Sequence, residues 1–159
     1  MTYSHFVQKT PLEKIVKSAN SFLCEKQLEE KYATLIIARV TPGGILEIVN
    51  CGHVPPLLVR GNTVTEIENG NMPVGLFDFA TYTGAQIAVQ PGDRIIMVSD
   101  GVTEAEAPDG EFFGTERLKE VALKGGDDTI IRAVLEYAQD VPLGDDCSIF
   151  ELTYTGGSA

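Results

Sequence analysis

The sequence predicts an α+β domain built mostly on antiparallel sheet, and three observations carry that prediction. Short β-prone runs come in pairs across Gly- and Pro-rich turns, the apolar spacing then becomes helical, and a last β-run closes the chain. At 159 residues the chain can bury one sizeable core, and it reads as a single domain over 1–159 without repeat, linker or low-complexity segment.

Taken in order, Thr10-Pro11-Leu12-Glu13 reads as a helix start. Thr10 is expected as the cap, Pro11 at the first helical position, and Glu13 closing a capping box. Leu12, Ile15, Val16, Ala19, Phe22 and Leu23 follow at helical spacing and predict one buried face, with the helix running on toward Lys31. The runs "ATLIIARV" (33–40) and "ILEIVNC" (45–51) flank Thr41-Pro42-Gly43-Gly44 and read as a β-hairpin. "PLLVR" and "TVTEIE" flank Gly61-Asn62 as a second hairpin, and "TGAQIAV" and "RIIMVS" flank Gln90-Pro91-Gly92-Asp93 as a third. Beyond Gly114, Leu118, Val121 and Ala122 mark a short helix; beyond Asp127-Asp128, Ile130, Ile131, Val134, Leu135 and Ala138 mark a longer one. "CSIFELTY" (147–154) returns as a strand before the loose tail "TGGSA".

Composition excludes some functions. Lys and Arg number 12 against 23 Asp and Glu, a formal net charge of -11, which argues against nucleic acid and anionic membrane as partners. Three cysteines without CxxC spacing read as reduced thiols of an intracellular protein. With no apolar signal core at the start and no run of membrane length, the expected location is cytoplasmic.

The chemistry-bearing pattern begins where "RIIMVS" stops at Asp100-Gly101. Such a stop is either an ordinary turn or a carboxylate held at the rim of a sheet for a metal. Asp145-Asp146 stand just ahead of the last strand. If the two runs lie antiparallel and adjacent, Asp100 comes beside Asp145 and Asp146. Carboxylates ~5 Å apart repel by roughly 3 kcal/mol per pair at an effective dielectric near 20. A divalent cation relieves that repulsion, and an all-oxygen donor set suits Mg²⁺ or Mn²⁺. Two separate solvated turns remain the other reading of the same residues. His53 could be a general acid or a ligand, but reads better as a histidine ordering a turn. Glu104 and Glu106 read as a solvated acidic loop, and Pro108-Asp109-Gly110 as a turn. The acids after Asp100 lack the spacing of an EF-hand loop.

Several motifs in order resemble one family: "ATLIIARV", Asn50-Cys51-Gly52-His53, Met72-Pro73-Val74-Gly75-Leu76, Pro91-Gly92-Asp93, Ser99-Asp100-Gly101 and Gly144-Asp145-Asp146. They are similar to the PPM-type metal-dependent protein phosphatases, within them the bacterial branch named for sporulation stage II protein E, which includes stress-response phosphatases. The resemblance runs from about Pro11 to Tyr154. It implies a mostly antiparallel β-sandwich flanked by helices, with two Mn²⁺ or Mg²⁺ ions at one end. It implies Asp100 and Asp145 as metal ligands, with Gly101 and Asp146 supporting them. It also implies hydrolysis of phosphoserine or phosphothreonine on a partner such as a regulatory protein, by a metal-activated water.

The pattern departs from the family at its start. The family opens on strands carrying another Asp-Gly, whose carboxylate bridges the metals; here the first aspartate is Asp78. The chain is therefore expected to be the C-terminal portion of the phosphatase domain, inactive by itself for want of that ligand. A non-catalytic binding module that engages a regulatory protein is the alternative, and a homo-oligomer in which a second copy covers the missing layer is a third.

Overall fold

The computed structural model describes residues 10–26 and 32–156. Its strands form two antiparallel sheets, one of three strands and one of four, within two compact units. One unit takes the chain to His53 together with Glu68–Ala88; the other takes Val54–Ile67 and the chain from Val89 onward.

In the first unit, helix α1 (Leu12–Glu25) packs on strands β1 (Leu35–Val40) and β2 (Ile45–Cys51). It opens with Pro11, not Thr10, as its cap and makes no side-chain cap bond; the Pro11 carbonyl accepts the Lys14 and Ile15 amides. The proline ring already fixes φ, so the start needs no side-chain oxygen to hold it. Its buried positions are Leu12, Val16 and Asn20, and Leu23 packs against the same core, while Phe22 is 57% exposed. Residues 27–31, into which the helix was expected to run, lie outside the described residues. Strands β1 and β2 form the expected hairpin, from Leu35 opposite Cys51 to Val40 opposite Leu46. Leu12, Val16, Val49, Cys51, Val74, Ala80 and Tyr82 make this unit's core.

Asn20 is the buried polar residue that helical periodicity does not flag. Fully buried, it donates to the Phe77 carbonyl at 3.0 Å and accepts the Gly75 amide at 2.8 Å, pinning the 75–77 segment to the helix. Lys17 adds a bond to the Ala80 carbonyl at 3.0 Å.

In the second unit, β3 (Leu57–Arg60) and β4 (Thr63–Glu66) form the second expected hairpin. The third hairpin is not formed. Strand β5 (Ala85–Ala88) adds to the free edge of β2, whereas β6 (Arg94–Val98) pairs with β3 and with β7 (Ile149–Thr153). Its turn residues are engaged elsewhere: Asp93 is buried against Arg60 of β3, and Gly92 and Asp93 exchange main-chain bonds with Tyr154. A turn signal marks a change of direction without choosing the partner that follows.

Among the described residues, three helices belong to this unit. The one-turn α2 (Asp100–Thr103) begins at the aspartate itself, where the sequence had suggested only a strand stop. The longer α3 (Gly114–Lys124) and α4 (Asp127–Ala138) stand where the spacing placed them. Leu57, Val59, Ile96 and Val98 of the sheet share a core with Val102, Phe113, Leu118, Ala122, Ile130 and Val134. Each large aliphatic chain fully buried there contributes about 1.5–3 kcal/mol of transfer free energy. Among the described residues no helix is long and apolar enough to cross a membrane.

Candidate functional site

The end of β6 is held by its own burial: Ile95, Ile96 and Val98 are all within 3% of full burial. Its partner β7 runs antiparallel with Val98 opposite Ile149, so the end of one strand meets the start of the other. The ladder goes one step further, with the Ser99 amide donating to the Ser148 carbonyl at 2.9 Å. The return bond departs from the regular pattern. The Ser148 amide donates to the Ser99 hydroxyl at 2.8 Å, and the Ser99 carbonyl instead accepts the Val102 amide at 3.1 Å. That carbonyl starts α2, with Asp100 as its first residue.

Three further contacts fasten the two segments. The Ser99 hydroxyl donates to the Asp146 carbonyl at 2.8 Å, and the Cys147 thiol donates to the Gly101 carbonyl at 3.1 Å. Gly101 is buried so closely against residues 145–146 that a Cβ would stand 2.6 Å from the Asp146 carbonyl oxygen. The main chains bearing Asp100 and Asp145-Asp146 therefore touch. Both Asp100 and Asp145 are exposed, and each spends one carboxylate oxygen, Oδ1, on the following amide, at 3.0 and 2.7 Å. Burial, and then the negative charges of Asp145 and Asp146, push the Cys147 thiol above its ordinary range.

The donors present fit a hard divalent cation, being carboxylate oxygens on backbone that tertiary contacts immobilise. Among the described residues, no group of three or more His, Cys, Asp or Glu side chains is arranged to hold a metal ion. What the two strand ends bring together are the exposed carboxylates of Asp100, Asp145 and Asp146.

The other acids serve the loop. The Glu104 amide closes α2 on the Asp100 carbonyl, Glu106 bridges to Phe112, and Asp109 accepts the Glu111 amide at 3.1 Å, as a turn aspartate does. His53 orders a turn: its amide donates to the Asn50 side chain and its carbonyl accepts from it, both at 2.9 Å. The adjacent Gly52 has φ +73 and lies against Pro73, where a side chain would not fit. In the sequence Ser99 is only the first member of the Ser99-Asp100-Gly101 motif, with no role of its own. A serine before Asp-Gly was the available signal, but its importance depends on which carbonyl faces it.

Comparison with known proteins agrees with this architecture. Residues 1–155 match the family model described as stage II sporulation protein E (SpoIIE). Protein IcfG of Synechocystis is 32% identical over 91 residues, covering 56% of this chain and 14% of that protein. Among solved structures, the PP2C phosphatase domain of Bacillus subtilis SpoIIE with a fragment of its regulatory domain superposes with a TM-score of 0.76 at 20% identity. That match covers 89% of this chain and 44% of the solved one. The phosphatase domain of the same protein, presoaked with Mn, gives a TM-score of 0.68 at 21% identity over 100% of this chain and 75% of that one. The likeness in fold is to PP2C-type phosphatase domains, and the chain spans only part of each relative.

Proposed function

The chain belongs to the stage II sporulation protein E family, and from that premise we propose that it is part of a metal-dependent serine/threonine phosphatase domain in a bacterial signalling or stress-response regulator. Its substrate is a phosphoserine or phosphothreonine on a partner regulatory protein, and its place of action is the cytoplasm. Asp100 and Asp145 are the metal ligands; Gly101 and Asp146 support them. The supporting observation is the close contact of Gly101 with the 145–146 main chain, which holds two carboxylate-bearing segments together at one end of β6 and β7.

A bound Mn²⁺ or Mg²⁺ pair would supply the charge that activates a water and offsets the phosphoryl oxygens. This chain's part is to hold hard oxygen donors at the strand ends and keep their backbone from drifting. These 159 residues contain no aspartate ahead of Asp78 to bridge two ions, so the chain alone binds Mn²⁺ weakly if at all and turns over negligibly. The same observation favours a second reading, a phosphatase-like module that binds a regulatory protein without catalysis.

A Mn²⁺-dependent assay on a phosphoserine peptide separates these. The chain as sequenced should stay at background, and fusing the family's opening Asp-Gly strands ahead of Met1 should give turnover that Asp100→Asn removes. Turnover by the unextended chain that Asp100→Asn abolishes would show that the ligand set is already sufficient. A folded fusion that remains silent would favour the binding module.

A further inference from the structure

We propose that the Ser99 hydroxyl is a positioning residue that sets the spacing between Asp100 and Asp145, an inference that rests on the metal reading above. In a regular antiparallel ladder a pair such as Ser99 and Ser148 exchanges two main-chain bonds. Here the second bond ends on a side chain. The hydroxyl takes the Ser148 amide at 2.8 Å, which releases the Ser99 carbonyl to receive the Val102 amide at 3.1 Å. One oxygen thus lets β6 stay paired up to its end while the chain coils at once into the turn that carries Asp100.

The same hydroxyl uses its proton on the Asp146 carbonyl at 2.8 Å, so it grips residues on both sides of Cys147. With one bond accepted and one donated, its orientation is set, and it ties Asp100 on one flank to Asp145-Asp146 on the other. Ligands of a divalent cation must be held within about 0.5 Å of their working positions, and Mg²⁺ tolerates little departure from octahedral geometry. Ser148 and Asp146 are exposed, so water can satisfy the amide and carbonyl that Ser99→Ala would leave behind. The loss falls on spacing more than on stability. Threonine keeps the hydroxyl, and the extended backbone at Ser99 (φ -72, ψ 162) suits a β-branched residue.

The test is a titration of the 159-residue chain with Mn²⁺ alone, read by electron paramagnetic resonance of the free ion, with thermal melts in parallel. Ser99→Ala should weaken Mn²⁺ binding by roughly 10–100-fold, as loss of an outer contact to a metal ligand does, while Ser99→Thr binds as the parent. The two variants should melt together, near the parent. A Ser99→Ala chain that melts lower but binds Mn²⁺ with parental affinity when folded overturns the inference and leaves a structural role. A Ser99→Thr chain that folds yet binds as poorly as Ser99→Ala overturns it too. If Asp100→Asn and Asp145→Asn bind Mn²⁺ as the parent does, the metal reading itself fails and this inference falls with it; a parent that binds none overturns this inference while leaving the metal reading of the longer domain standing.

Discussion

Gly101 lies against the main chain of Asp146, with room for no side chain: a Cβ there would stand 2.6 Å from the Asp146 carbonyl oxygen and 3.1 Å from that of Asp145. The obstacle is backbone, which cannot turn aside as a rotamer can. Gly101→Ala should therefore push the 145–146 segment away and cost about 1–3 kcal/mol, the usual range for overpacking. Urea denaturation should show a lower midpoint with an unchanged slope. A variant as stable as the parent would mean that the segment yields freely, and the spacing argument for Asp100 and Asp145 would lose its footing.

Asp93 is an acid-sensitive group of the second unit. Its side chain, 3% exposed, receives paired bonds from Arg60, and the Gln90 amide adds a third at 2.8 Å. The Arg60 bonds hold its carboxyl below the ordinary value of 3.8. Because the folded value is the lower one, this stabilisation is complete above about 3.8 and is lost as pH falls through the folded value. Asp93→Asn should remove that part of the acid-unfolding slope and cost about 2–3 kcal/mol at neutral pH, less than a fully buried pair because Arg60 stays 38% exposed. Stability measured against pH for parent and variant decides it; parallel curves in acid would rule out Asp93 as the source.

Cys51 predicts the opposite, alkaline dependence. At 0% exposure on β2, its thiol is pushed by burial from an ordinary 9.0 to about 11. The unfolded thiol ionises first, so the stabilisation is whole below 9.0 and declines as pH rises to about 11. Cys51→Ala should flatten this decline while lowering stability throughout by leaving a small cavity. The comparison must be made against the same chain, since burial raises the neighbouring Tyr82 phenol as well. Identical alkaline slopes in parent and variant would assign the decline to other groups, Tyr82 and Cys147 among them.

The elements themselves were legible wherever local signals sufficed. Gly61-Asn62 between two β-runs specified its hairpin, and the spacing of Ile130, Val134 and Ala138 specified the buried face of α4. The meeting of the Asp100 and Asp145 segments was also legible, because one β-run ends and another begins at those residues. The partner of β5 was not, since alternation says which face is buried and nothing about which edge lies open.

By itself, then, the sequence determined the α+β class, the order of its strands and longer helices, the family motifs and the acidic residues that end or precede strands. Those follow from periodicity, turn chemistry and residue type, which act over a few neighbours. The tertiary structure decided what depends on distant groups: β5 on the edge of β2, Asn20 pinning the 75–77 segment, and Asp93 buried under Arg60. It also decided that the Ser99 hydroxyl would replace a main-chain carbonyl in the β6–β7 ladder. A hydroxyl's role is set by the donor and acceptor within about 3 Å of it, and for Ser99 these come from residues 47 and 49 positions along the chain.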